Sequence, residues 1–296
     1  MNLLQGVGAA LVTPFTAQNK IDEKAFEKLI EHTLAGGVAA LFVCGTTGEP
    51  STLSESERER VIALCVEIAK NRVPVFAGCG GNDTASTVAF AQKCQALGAY
   101  GLLAVTPYYN KCTQNGAYRH YAAISDAVEI PVIAYNIPAR TGFALTPETV
   151  GRLLSLKNLR GIKEASGDIH NMLAVARLTR GKADLYCGDD ALALPAFAVG
   201  ACGLISVAAN IIPQAMAALA ALCLEERYGE AAEFFYKLSP FFACLTSEVN
   251  PIPCKKALAL AGISVGTPRL PLTELEPQNA RRLKIEMAKL GLLAGK

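Results

Sequence analysis

The chain has no tryptophan, four methionines and only three histidines. His32, His120 and His170 fall inside helical stretches or just within a helix start. None stands at a strand end, which argues against a histidine acting as general base. Excess charge of one sign is also missing: 28 Lys and Arg stand against 26 Asp and Glu. The basic residues are scattered, with no aromatic interleaving, so nucleic acid is not an expected partner. No apolar run is long enough to span a bilayer, and Met1-Asn2-Leu3-Leu4-Gln5-Gly6 lacks a basic region followed by a long apolar stretch. Neither a membrane span nor a secretory signal is therefore expected. No G-x-G-x-x-G follows the first β-rich run, which weakens a dinucleotide-binding reading. C-x-x-C spacing is absent too, although there are ten cysteines. Most lie in apolar segments, as Cys44, Cys65, Cys202 and Cys223 do. They read as reduced thiols packed like small hydrophobes in a cytoplasmic protein, with no metal site.

What is present is an apolar chain, 51% hydrophobic, with two alternating patterns. Eight short β-rich runs read as strands: Gly8–Thr13, Ala40–Cys44, Val75–Gly78, Gly101–Thr106, Val132–Asn136, Leu159–Lys163, Leu185–Gly188 and Cys202–Val207. Amphipathic stretches separate them, at Asp22–Ala35, Ser54–Lys70, Thr84–Leu97, Gly116–Val128, Thr146–Leu154, Ile169–Thr179 and Leu192–Val199. Several open on good caps, such as Ser54 with Glu57 three residues on. Strict alternation with apolar strands predicts a parallel sheet of the α/β class, and eight units predict a (β/α)₈ TIM barrel. The barrel is expected over residues 1–220. Residues 221–296 read as a C-terminal helical appendage packed on it, since no Gly/Ser-rich linker intervenes.

In such a barrel, chemistry gathers at the C-terminal strand ends. The most informative end is Lys163. A neutral amine attacks a carbonyl to form an imine, and desolvation beside apolar walls favours the neutral form. A strand-end lysine can also simply snorkel to water. Tyr135 lies one βα unit earlier, so the two side chains can converge, and a phenol there can shuttle protons. Gly45-Thr46-Thr47-Gly48 offers two hydroxyls and backbone N–H groups suited to a carboxylate, and Arg140 supplies a planar fork for a second one. Each has a plainer reading: turn formers for Thr46 and Thr47, packing aromatics for Tyr108 and Tyr109, a surface charge for Arg140. Asp189-Asp190 reads as a helix N-cap rather than a metal pair. An amine nucleophile, a proton relay and two anion grips together suit an α-keto acid.

The segments GTTGEPSTL, TPYYNK, YNIPARTG and GIKEASGD, in this order and spacing, resemble the dihydrodipicolinate synthase family. That family belongs to the class I, pyruvate-dependent aldolase superfamily, which includes N-acetylneuraminate lyase. The likeness runs from about Gly6 to the C-terminal helices. It implies a lyase of lysine (diaminopimelate) biosynthesis that condenses pyruvate with L-aspartate 4-semialdehyde to 4-hydroxy-tetrahydrodipicolinate. It implies that Lys163 forms the Schiff base with pyruvate and that Tyr135 relays protons, helped by Thr46 and by Tyr109 from a neighbouring subunit. Thr47 would hold the pyruvate carboxylate, and backbone groups near Gly188 and Ile205 would line the pocket. Arg140 would hold the carboxylate of the semialdehyde. No cofactor beyond the covalent imine and no metal are implied, and the expected assembly is a cytoplasmic homotetramer, a dimer of tight dimers.

Two other functions fit the same residues. One is a sister aldolase acting on N-acetylneuraminate or a 2-keto-3-deoxy sugar acid, for which Arg140 would be less useful. The other is a keto-acid-binding sensor, which would need no nucleophile. The resemblance also brings a lysine-feedback site, where this chain departs from inhibited members. Pro50, Ser51, Glu55, Arg58 and Ser86 stand at the corresponding positions, while Asn82 and Tyr108 remain. Ser86 offers no carboxylate for an inhibitor ammonium. Cys112 stands where proline is usual, a mild change.

Overall fold

The computed structural model describes residues 3–295. The barrel runs β1 (Gly6–Ala10), α1 (Glu23–Ala35), β2 (Ala40–Val43), α2 (Glu55–Ala69), β3 (Val75–Gly78), α3 (Thr84–Ala96), β4 (Gly101–Val105) and α4 (Gln114–Ala127). It continues through β5 (Val132–Asn136), α5 (Pro138–Thr141), α6 (Pro147–Leu153), β6 (Leu159–Glu164), α7 (Ile169–Thr179), β7 (Asp184–Cys187), α8 (Ala193–Ala198) and β8 (Gly203–Ser206). Then follow α9 (Pro213–Leu224), α10 (Tyr228–Leu245), α11 (Ile252–Leu260) and α12 (Pro277–Lys289). The strands pair in sequence order, all parallel, and β8 returns to β1, so the sheet is a closed (β/α)₈ barrel.

The period-two alternation of each strand sorts its side chains into two cores. Phe42 and Phe76 point inward and stack with centroids 4.8 Å apart, in a barrel interior that also holds Ile133, Tyr135, Tyr186 and Ile205. Leu41, Val43, Val132, Ala134 and Ile162 point outward into the larger layer beneath the helices. Burial of these side chains stabilises by roughly 1.5–3 kcal/mol each before the entropy of ordering them is counted. Lys163 shares the inward parity of β6. The predicted caps form: Ser54 and Glu57 make a reciprocal capping box at α2, and Asp83 caps α3.

Most predicted boundaries move by one or two residues, and two departures matter for the site. The first strand, expected over Gly8–Thr13, occupies Gly6–Ala10 instead. The Asn210 side chain explains the early exit: its Nδ2 donates to the Ala10 carbonyl at 2.7 Å and its Oδ1 accepts from the Val12 N–H at 3.2 Å. A side-chain amide thus replaces the next sheet partner. The segment after β5, to which the sequence pattern assigns no element, is the one-turn helix α5; Pro138 opens it with a preset φ and Gly142 closes it at φ 67°. The residue-220 division falls inside α9, which packs against β1 and α8.

All ten cysteines are free thiols. Burial pushes the thiols of Cys94, Cys187 and Cys202 up to about 12, so they pack as neutral hydrophobes. Among the described residues, no helix is long and apolar enough to cross a membrane.

Candidate active site

Adjacent strands bring Tyr135 and Lys163 together as register partners between β5 and β6. Lys163 Nζ lies 4.1 Å from the Tyr135 ring centroid, and Lys163 is only 6% exposed. Among the described residues, no carboxylate forms an ion pair with it. Gly188, at the end of β7, makes room for the lysine stem: a Cβ there would stand 2.7 Å from Lys163 Cε and 2.8 Å from Ala165 Cβ. No other residue type fits beside that amine without moving it.

The strand ends beneath are locked by a buried pair that sequence reasoning missed. Asn136 Nδ2 donates to Glu164 Oε2 at 2.8 Å, and Asn136 Oδ1 accepts from the Leu145 N–H at 2.9 Å. Glu164 Oε1 accepts from the Ser166 N–H at 2.7 Å. These residues carry the outward parity next to Tyr135 and Lys163, so their bonds fix the two inward side chains in register. The signal was the pair of adjacent polar residues closing two apolar strands.

Lys163, Gly188, Asp189 and Asp190 line a cavity of about 180 Å³ with Thr46, Thr47, Tyr135 and Arg140. Thr46, Tyr135 and Arg140 also line a neighbouring cavity of about 290 Å³ that reaches Arg58 and Tyr108. Thr47 and Arg140 are tied together by Asn250, which lies just before α11. Asn250 Nδ2 donates to Thr47 Oγ1 at 2.9 Å, and its carbonyl accepts from Arg140 Nη2 at 3.2 Å. Asn250 was not foreseen, because it is more than 100 residues from either partner. Ile205 lies inward on β8 in the cluster with Tyr135 and Tyr186, and lines neither cavity with its side chain. Tyr109 sits apart: it is 84% exposed at φ 67° and lines neither cavity of its own chain.

The Asp189-Asp190 pair divides. Asp189 Oδ1 accepts from the Ala191 N–H at 2.9 Å and caps a short turn, as expected. Asp190 does not cap; its Oδ2 accepts from the Val207 and Ala208 N–H groups at 3.0 and 2.8 Å, stitching the end of β7 to that of β8. Burial pushes the Asp190 carboxyl up to about 6 despite those donors.

A closed (β/α)₈ barrel with a buried strand-end lysine against a tyrosine, and hydroxyl and guanidinium groups around it, defines a lyase of the class I aldolase type. The chain matches the Dihydrodipicolinate synthetase family over residues 3–289, and it belongs to that family. It is 43% identical over 292 residues to a 4-hydroxy-tetrahydrodipicolinate synthase of Caldicellulosiruptor bescii, covering 99% of each chain. It is 44% identical over 281 residues to the enzyme of that name from Geotalea daltonii, covering 95% of this chain and 97% of the other. Among solved structures, the dihydrodipicolinate synthase of Thermotoga maritima superposes with a TM-score of 0.96 at 38% identity, covering 99% of this chain and 100% of that one. The chloride-inhibited dihydrodipicolinate synthase of Acinetobacter baumannii, solved with pyruvate, gives a TM-score of 0.96 at 40% identity, covering 98% and 99%.

Proposed function

We propose that this chain is a 4-hydroxy-tetrahydrodipicolinate synthase, condensing pyruvate with L-aspartate 4-semialdehyde in lysine biosynthesis. The observation that carries the reading is Lys163, buried and without a carboxylate partner among the described residues, 4.1 Å from the ring centroid of Tyr135. Its neutral amine attacks the pyruvate carbonyl, water leaves, and an imine forms. Loss of a methyl proton gives an enamine whose carbon attacks the semialdehyde carbonyl. The substrate's own amine then displaces Lys163 and closes the ring. Tyr135 carries protons in these steps with Thr46, and Thr47 holds the pyruvate carboxylate. Gly188 and the backbone near Ile205 shape the floor. The covalent bond to Lys163 serves where another lyase would use a cofactor. We place the enzyme in the cytoplasm as a homotetramer in which Tyr109 reaches the site of a second copy.

Borohydride with pyruvate tests the reading: the adduct mass should fall on the peptide containing Lys163, and L-aspartate 4-semialdehyde should be the best acceptor among aldehydes. An adduct on another lysine, or preference for a sugar aldehyde, would sink it.

Arg140 stands at the mouth, held by the Asn250 carbonyl. Its fork suits the semialdehyde carboxylate rather than a polyol. Arg140→Ala is expected to raise KM for the semialdehyde by roughly one to two decades, the loss of a charge-assisted contact, and to leave pyruvate trapping within a few-fold. Equal loss of both would assign Arg140 to the first substrate or to the fold.

L-Lysine is expected to inhibit weakly or not at all. Ser86 lies exposed in the first turn of α3, its N–H donating to the Asp83 carboxylate at 2.7 Å, and brings no charge. Arg58 lies over Phe90, its guanidinium carbon 4.0 Å from the ring centroid, and lines the larger cavity, where it repels an ammonium. Glu55 does not face the cavity: its carboxylate pairs with Lys93 on the helix surface and it lines neither cavity. Loss of one charge-assisted contact removes roughly one to two decades of affinity. A titration of activity with L-lysine at saturating pyruvate checks this, and half-inhibition below a millimolar contradicts it.

A further inference from the structure

Thr46 and Thr47 sit on a single tight turn held by two backbone hydrogen bonds, Gly48 N–H to the Gly45 carbonyl at 2.8 Å and Glu49 N–H to that of Thr46 at 3.2 Å. The turn ends at Glu49 in the left-handed region, φ 56° and ψ 45°. A residue with a Cβ keeps that conformation only where its surroundings hold it. Glu49 is held by its side chain. Its Oε1 lies 2.6 Å from Lys255 Nζ, both side chains all but fully buried, and its Oε2 accepts from the Arg269 N–H at 2.9 Å.

Lys255 sits on α11, more than 200 residues along the chain. Its ammonium lies 4.2 Å from the Phe15 ring centroid, in the loop after β1, and the Arg269 guanidinium lies 4.3 Å from the same one. The strand-less segment that carries Arg269 is pressed onto that loop at Gly266, φ 70°, where a Cβ would stand 2.0 Å from the Phe15 carbonyl oxygen. From the other side, Thr13 Oγ1 donates to the Gly48 carbonyl at 2.7 Å.

We infer that Lys255, through its buried ion pair with Glu49, is a positioning residue that fixes the Thr46–Thr47 turn for the reaction. This rests on the roles proposed above for those two threonines. A buried ion pair is no better for stability than a well-packed apolar pair, but its attraction at Oε1, together with the Arg269 N–H bond to Oε2, holds the carboxylate where an apolar contact would let it slide. α11 therefore acts at two points: Asn250, just before it, holds Thr47 and Arg140, and Lys255, within it, holds Glu49.

The test compares the full-length parent with E49Q and with E49Q/K255M. Lys255→Met alone would strand a buried carboxylate and destabilise the chain strongly; E49Q keeps a side-chain oxygen that can still face the lysine. Three quantities are read: Tm, the pyruvate concentration for half-maximal borohydride trapping at Lys163, and kcat with the semialdehyde. The double variant is expected to keep its Tm within a few degrees while half-saturating pyruvate rises about tenfold or more and kcat falls. A pair serving stability alone would lower Tm and leave both constants unchanged in the folded enzyme. Constants within about twofold of the parent in the folded double variant overturn the inference. If the double variant does not fold, E49Q is read by the same criterion; failure of both to fold assigns the pair to stability and also overturns it. Absence of trapping at Lys163 in the parent is a separate result, which defeats the reading of the reaction and this inference with it.

Discussion

Lys163→Arg is expected to fold like the parent and to lose activity by about three orders of magnitude or more, equivalent to at least ~4 kcal/mol of transition-state stabilisation. Arginine keeps the positive charge and most of the stem, but its guanidinium does not give up a proton in a protein and cannot become an attacking amine. Lys163 sits 6% exposed against Tyr135, with Gly188 cleared beside its stem. The cavity of about 180 Å³ above it leaves room for the larger head group, so the variant should keep the parent's Tm. Borohydride with pyruvate should leave no adduct on the peptide. Turnover near the parent rate would remove Lys163 from the chemistry altogether.

This residue was legible in the sequence because everything that defines it is local. An apolar run ends on a lysine, a turn follows, and strict βα alternation says which end of the strand faces the mouth. Tyr135 was legible for the same reason, one unit away, and the barrel made the two register partners. Residues that act across the chain were not. Asn250 grips Thr47 and Arg140, yet nothing near Asn250 hints at either. Glu49 reads as one more acidic residue in a turn; its left-handed backbone and its ion pair to Lys255 exist only once α11 has folded over the barrel. The early end of β1 has the same origin, since Asn210, which follows the neighbouring β8 but lies 200 residues along the chain, takes over its hydrogen bonds.

Local pattern also sets a limit at Asp190. A pair of aspartates after a strand reads as a helix cap, and Asp189 is one. Asp190 instead accepts the N–H groups of Val207 and Ala208, a contact between neighbouring strand ends that depends on barrel closure. Strand-end chemistry can thus be read from sequence, while the supports that hold it come from elements far along the chain.

Tyr109→Phe is expected to fold normally and to lower kcat by roughly two orders of magnitude, the usual contribution of one proton-transfer group. Within its own chain, Tyr109 has nothing to act on. It is 84% exposed and lines neither cavity, and its backbone is left-handed at φ 67°, followed closely by Lys111 at φ 54°. Asn82 Nδ2 donates to the neighbouring Tyr108 carbonyl at 3.3 Å and anchors the base of the loop. Under the assembly proposed above, a phenol presented this way would serve the site of a second copy. The sharpest check is complementation. Lys163→Ala subunits keep Tyr109 but have no nucleophile, and Tyr109→Phe subunits have the nucleophile but no phenol. In a mixed pair, one of the two sites has both. Random pairing of equal amounts makes half the pairs mixed, so about a quarter of parental activity should return, although each variant alone is nearly inactive. Mixing must be done under conditions that let subunits exchange, verified by mass spectrometry of the mixed pairs. Mixed pairs that form and stay inactive would show that Tyr109 serves its own chain or none.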